Sequence, residues 1–156
     1  MTSPRDTARS QPPAREPLPA ALSDRLGYLL GRAHVAHRSI AERALASLGL
    51  GVKEFGALSV LVGEGPLSQQ RLGERQGVDR TTMVAVVDEL ERHGLVKRRR
   101  NPDDRRAYSL QATPAGRRVL GQANKAVERA EDEFLAQIPA GDRRRLKDLL
   151  RRLISQ

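Results

Sequence analysis

Apolar residues recur at helical spacing from Leu22 to Leu48: Leu22, Leu26, Leu29, Leu30, Ala33, Ile40, Ala44 and Leu48. That repeat predicts a helix with one buried face. Gly27 and Gly31 interrupt it four residues apart, a spacing that suits a close helix contact. "LGLG" ends it. A second helix runs through Phe55, Leu58, Leu61 and Val62 and stops at Gly63–Gly65, with Pro66 beyond.

The next segment is "LSQQRLGERQGVDRTTMVAVVDELERHGLV". Ser68 is placed to cap a short helix reaching about Gln76, and Gly77 makes the turn. Asp79 is placed to cap a longer helix to His93, stopped by Gly94. Met83, Val87 and Leu90 share one face with Val86 beside them; Thr81, Ala85, Asp88 and Arg92 lie towards the other. Two helices joined by a short glycine-containing turn describe a helix-turn-helix. The pattern then switches to period two. Val96–Arg100 and Arg105–Ala112 read as two strands, with Tyr108, Leu110 and Ala112 facing the core and "RNPDDR" turning between them. A hairpin beside a helix-turn-helix is a winged helix. Thr113 then caps a helix with Pro114 in its first turn, running to about Gln137 with a stripe of Leu120, Ala123, Val127, Ala130 and Phe134. After "IPAGD" a last helix carries Leu146, Leu149, Leu150 and Leu153, with Ile154 beside them. Amphipathic helices at both chain ends with no further domain to cover them suggest a homodimer; packing within one chain is the alternative.

Charge gives these elements a partner. The 156-residue chain carries a formal +9, and Lys97–Arg106 holds six cations (Lys97, Arg98, Arg99, Arg100, Arg105, Arg106) against Asp103 and Asp104. Positive charge concentrated on a wing suits a polyanion, nucleic acid before membrane. Two tyrosines, two phenylalanines and no tryptophan leave little for stacking unpaired bases, which favours double-stranded DNA over RNA or single strands. The absence of cysteine excludes disulfides and thiolate chemistry. No apolar run approaches the roughly 18 residues of a membrane span, and residues 1 to 20 lack the apolar core of a signal peptide. A cytoplasmic protein without a membrane partner is expected. The first 20 residues, rich in proline, arginine and alanine, are expected to be a disordered tail.

With "LGYLL", "LGLGVKEFGAL", "TTMVAVVDELERHGLV", "RRRNPDDRRAYSL" and "ATPAGRRVL" in this order, residues 22 to 155 resemble the multiple-antibiotic-resistance regulator (MarR) family. The resemblance implies a mainly α fold with a small β-wing. It implies a winged helix-turn-helix at about 52–113, and dimerisation helices at about 21–50 and 114–156, within a single domain of residues 21–156. It also implies a homodimeric repressor on a pseudopalindromic operator, with small anionic or phenolic ligands releasing many members. By the family pattern Arg106 enters the minor groove and Asp104 steadies it, an arrangement suited to narrow A·T-rich grooves; simple turn closure by Asp104 is the alternative. Arg80, Thr81 and Thr82 would read bases in the major groove, with Ala85 against a thymine methyl. Thr82 could equally serve as a capping residue. Val84 and Ala85 stand where many relatives carry polar readers, which shifts weight to shape readout. Ala112 replaces the usual leucine before the Thr-Pro turn. Gln69, Gln70 and Arg71, together with Arg98, Arg99, Arg100 and Arg105, are candidate DNA contacts, chiefly to phosphates. Tyr28, His34, Arg38, Lys53 and Phe55 lie on the two helices that line the family's usual ligand cleft, where a cation suits an anionic aromatic effector.

Other chemistry finds little footing. His34 and His37 have the spacing of two metal ligands on one helix face, but no third ligand is near in sequence, so no metal or cofactor is expected. "GEGP" lacks the lysine and the setting of a phosphate loop, and Ser39 beside His37 is the sole serine–histidine neighbour pair, so no enzyme is expected. The alternative function is a DNA-binding dimer without a small-molecule effector, acting as an activator or as a non-specific architectural binder.

Overall fold

The computed structural model describes residues 18–100 and 108–155. The expected tail of residues 1–20 falls almost wholly outside them, as do Asp104, Arg105 and Arg106, three of the candidate DNA contacts. The chain divides into two compact units, Met1–His34 and Val35–Gln156.

In the first unit a turn at residues 20–24 precedes the helix, with Leu22 N–H donating to the Pro19 carbonyl at 2.9 Å. Helix α1, Leu26–Ala46, therefore starts four residues later than its apolar repeat. Added Cβ atoms at Gly27 and Gly31 would meet nothing within 4 Å, so the close contact expected from their spacing is not made among the described residues.

The second unit is built around α2, Val52–Glu64, which packs on α3 (Gln69–Gln76), α4 (Arg80–Arg92), β2 (Tyr108–Ala112) and α5 (Pro114–Phe134). Ala57, Leu58 and Leu61 of α2 are buried with Leu45, Leu50, Leu72, Met83, Val86, Val87, Leu90, Leu95, Val96, Leu110, Ala112, Leu120 and Ala123. Burying each large aliphatic side chain contributes about 1.5–3 kcal/mol. The predicted stripe of α4 thus faces this core, as does the first half of the α5 stripe, Leu120, Ala123 and Val127; Ala130 and Phe134 lie outside it.

Strand β1, Val96–Arg100, pairs antiparallel with β2, from Val96 opposite Ala112 to Arg100 opposite Tyr108. Leu110 and Ala112 are buried, but Tyr108 is 54% exposed. The expectation that all three face the core fails at Tyr108, because by Arg100 the hairpin has run past the helices that cover its root. Leu67 adds a short third rung: its N–H donates to the Leu110 carbonyl at 3.2 Å and the Leu110 N–H returns the bond at 2.7 Å. The segment entering α3 is thereby tied to the wing, a link with no sequence signal of its own.

Thr113 joins the wing to α5. Its hydroxyl donates to the Gly94 carbonyl at 2.7 Å and accepts from the Gly116 N–H at 3.0 Å, while its own N–H donates to the Leu95 carbonyl at 2.9 Å. Helix α5 ends at Phe134, three residues short of the expected Gln137. Pro139 disfavours helical backbone at Ile138, and the chain tightens into i to i+3 turns after Phe134. Helix α6, Ala140–Ile154, buries none of its residues; Leu146, Leu149, Leu150, Leu153 and Ile154 are all exposed. Lys147 pairs with Glu131 of α5 at 2.8 Å.

Two glycines of α5 allow one substitution to be tested with opposite signs. A Cβ at Gly116 would run into the Leu95 carbonyl oxygen and lie 3.2 Å from Leu58 Cδ1; at Gly121 it meets nothing within 4 Å. Gly116→Ala should destabilise by about 1–3 kcal/mol through overpacking. Gly121→Ala should stabilise by about 0.5–1 kcal/mol through helix propensity. Urea unfolding of both variants checks the pair, and equal effects would contradict this packing of α5.

Candidate nucleic-acid interface

Helix α4 turns one face inward and one outward. Met83, Val86, Val87 and Leu90 are buried; Arg80, Thr81, Val84, Ala85, Asp88 and Arg92 are exposed. Its start is fixed by Asp79, whose carboxylate accepts from the Thr82 N–H at 2.9 Å and from the Thr82 hydroxyl at 2.6 Å. Those two bonds, the hydroxyl's first, hold the Asp79 carboxyl below its ordinary range. Thr82 is half-buried and its hydroxyl proton is committed to this cap. Of the candidate base readers, Arg80, Thr81 and Ala85 lie open on the outer face.

Helix α3 approaches the same surface. Ser68 caps it through the Arg71 N–H at 3.2 Å, and Gly77 takes the left-handed conformation, φ 63°, that sends the chain into α4. Gln70 and Arg71 both donate to Glu74, at 3.0 and 3.3 Å, and these bonds, Gln70's foremost, lower the Glu74 pKa. Gln69, Gln70, Glu74, Asp79 and Arg80 line one open groove of about 860 Å³ between the two helices. The structure therefore brings Gln69, Gln70 and the head of α4 to one surface.

The wing's cations divide into two kinds. Arg98, a candidate phosphate contact by sequence, has its guanidinium engaged within the protein. It pairs with Glu91 through Nη1, with Asp88 Oδ1 through Nη2 at 2.8 Å, and donates to Gln69 Oε1 at 3.4 Å. Its backbone N–H also donates to Glu91 Oε1 at 3.2 Å. Arg99 and Arg100 are exposed beyond it. Asp88 and Glu91 are site residues that sequence reasoning overlooked: they precede Arg98 by ten and seven residues, and their meeting depends on how the strand leaves α4.

The effector candidates are placed less distinctively. Tyr28 is half-buried and His34 exposed on α1. Arg38 donates to Glu42 one turn on, at 2.7 Å. Lys53 is exposed, and Phe55 packs on the core. His37 and Phe134 form a T-shaped ring pair, centroids 5.6 Å apart. Among the described residues no group of three histidine or acidic side chains is placed to hold a metal ion. No helix among them is long and apolar enough to cross a membrane.

Comparison with known proteins agrees with this geometry. The MarR family profile matches residues 48–107. The chain is 35% identical over 137 residues to a regulatory protein named for the hcr operon of Thauera aromatica, covering 87% of this chain and 82% of that one. It superposes on a MarR-family transcriptional regulator from Rhodococcus sp. RHA1 with a TM-score of 0.79 at 31% identity, covering 86% and 96% of the two chains. It also superposes on CouR from Rhodococcus jostii RHA1, solved bound to p-coumaroyl-CoA, with a TM-score of 0.75 at 32% identity, covering 86% and 95%.

The Asp79 cap generates a pH prediction. A carboxyl held below its ordinary value of 3.8 contributes stability that is present above that value and lost as pH falls through the lower folded one. The gap in urea midpoint between wild type and Asp79→Ala should be widest near neutrality and close as pH falls below that range. A gap that stays constant with pH would remove the carboxylate's charge from the account of α4.

Proposed function

Because the chain belongs to the MarR family of transcription regulators, we propose that it is a homodimeric repressor acting in the cytoplasm. It binds a pseudopalindromic operator in double-stranded DNA and is released by a small anionic or phenolic ligand. One observation carries the DNA reading: α4 exposes Arg80, Thr81, Val84 and Ala85 on one face, while the strand that follows presents Arg99 and Arg100. A helix in a major groove with a basic wing reaching the adjacent minor groove uses both surfaces. Val84 and Ala85 are apolar and the Thr82 hydroxyl is committed to the cap, so base reading falls on Arg80, Thr81, thymine methyls and groove shape. In this reading Gln69, Gln70, Arg71 and Arg105 approach phosphates, and Arg106 enters the minor groove steadied by Asp104.

Dimerisation is supported by the leucine face of α6, which is exposed in the single chain, and by the exposed Leu26, Leu29 and Leu30 of α1. Two-fold symmetry then sets half-sites about one helical turn apart. The effector class rests on the family resemblance and on CouR, whose bound acyl-CoA is aromatic and anionic; Tyr28, His34, Arg38, Lys53 and Phe55 are the residues to test. A second reading, a DNA-binding dimer without effector, is favoured by two of these five being already engaged, Arg38 with Glu42 and Phe55 with the core.

Selection of genomic fragments by the purified protein, followed by footprinting, tests the proposal. A protected pseudopalindrome is expected; binding without sequence preference would leave an architectural DNA binder. On the selected site Arg106→Ala should weaken binding by more than about 1 kcal/mol with the melting temperature unchanged. Wild-type affinity in that variant would remove the wing from the interface.

A further inference from the structure

Among its described residues, the wing is packed at its root. Val96, Leu110 and Ala112 are buried, while Arg99, Arg100 and Tyr108 are exposed. A two-stranded hairpin is marginally stable alone, so the angle of the wing depends on what ties it to the helices: the buried root, the Leu67–Leu110 bonds on the β2 side, and the contacts that β1 makes. Arg98 stands at the boundary. From that one strand residue, bonds run to Glu91 and Asp88 on the last turns of α4 and to Gln69 at the start of α3. The guanidinium is a planar fork, and two carboxylates hold it in one orientation where one would leave it a hinge.

We propose that Arg98 is a positioning residue: clamped by Asp88, Glu91 and Gln69, it locks the wing at a fixed angle to α4 and does not itself neutralise a phosphate. This rests on the proposed DNA reading, in which α4 and the wing must enter neighbouring grooves together. Exposed ion pairs add little to stability, so the clamp's effect falls on geometry. It also accounts for two carboxylates at the edge of a surface meant for a polyanion. Taken as charges alone, Asp88 and Glu91 oppose DNA and their neutralisation strengthens binding; as parts of the clamp, their neutralisation weakens it.

The signs therefore differ, and the test reads them. Affinity for the selected operator and for a scrambled duplex of equal length is measured with wild type, with Asp88→Asn combined with Glu91→Gln, and with Arg98→Lys. The double variant should lose roughly tenfold in operator affinity while scrambled DNA is bound as well as before or better. Arg98→Lys should lose similarly, because a lysine keeps a phosphate contact but not a fork between two carboxylates. Wild-type or tighter operator binding in either variant overturns the proposal. A second measurement needs no DNA. The chain has no cysteine, so Arg92→Cys and Arg100→Cys provide clean spin-label sites on α4 and the wing. Their distance distribution should be narrow with the clamp intact and broad in the Asp88→Asn, Glu91→Gln background, at an unchanged melting temperature. An equally narrow distribution overturns the clamp whether or not the protein binds DNA. Failure to select any preferred DNA sinks the functional reading and leaves the clamp to be judged by the labels.

Discussion

The burial of Met83, Val86, Val87 and Leu90 along one side of α4 is the constraint on which the rest depends. These side chains enter the core between α2, α3 and β1, so the helix cannot rotate without exposing them. Fixing that face fixes the opposite one, and Arg80, Thr81, Val84 and Ala85 are held outward by the same contacts that stabilise the domain. The following elements inherit the placement. Leu95 and Val96 continue the buried line into β1, Thr113 bonds back to the Gly94 carbonyl, and Gly116 admits the Leu95 carbonyl against α5. The surface proposed for DNA is thus a by-product of how α4 is seated.

The parts of this arrangement legible in the sequence are those governed by neighbours a few residues apart. Ser68, Asp79 and Thr113 each cap the helix that follows, and Gly77 and Gly94 take the positive φ that ends a helix. The buried stripes of α4 and α5 follow directly from apolar spacing. What spacing does not reveal is where coverage ends. Tyr108 keeps the alternation of Leu110 and Ala112 but lies beyond the helices, so its pattern is that of a core residue and its setting that of a surface one. The Leu67–Leu110 rung and the meeting of Arg98 with Gln69 join residues 43 and 29 apart in sequence by numbering alone, and no local propensity encodes either. Ala112, small as it is, is buried opposite Val96.

Charge is the least reliable guide residue by residue. The cationic run from Lys97 reads as uniform, and Arg98, Arg99 and Arg100 are all exposed, yet the Arg98 guanidinium is paired with the carboxylates of Asp88 and Glu91. In α3, Arg71 shares Glu74 with Gln70, and Arg75 is bound by Glu64 of α2, which lowers the Glu64 pKa and raises that of Arg75. At the end of α4, Arg92 lowers the Glu89 pKa in the same way, with a smaller contribution from His93. Arginines that hold elements together and arginines that meet a polyanion are the same residue type, and only the carboxylates around them tell the two apart.

That distinction bears on how sequence preference could arise on a helix with so few free polar readers. Thr82 is committed to Asp79, and Asp88 to Arg98, so the middle of α4 offers the methyl groups of Val84 and Ala85. Methyl contacts discriminate weakly one at a time. They gain discrimination when the helix and the wing are held at a fixed relative angle, because only DNA whose groove width matches that angle can meet both at once. On the proposed reading, rigidity takes over work that polar side chains do elsewhere. The leucine face of α6 would extend the same logic from one half-site to two, since a dimer that repeats a rigid half at a fixed separation reads spacing as well as shape.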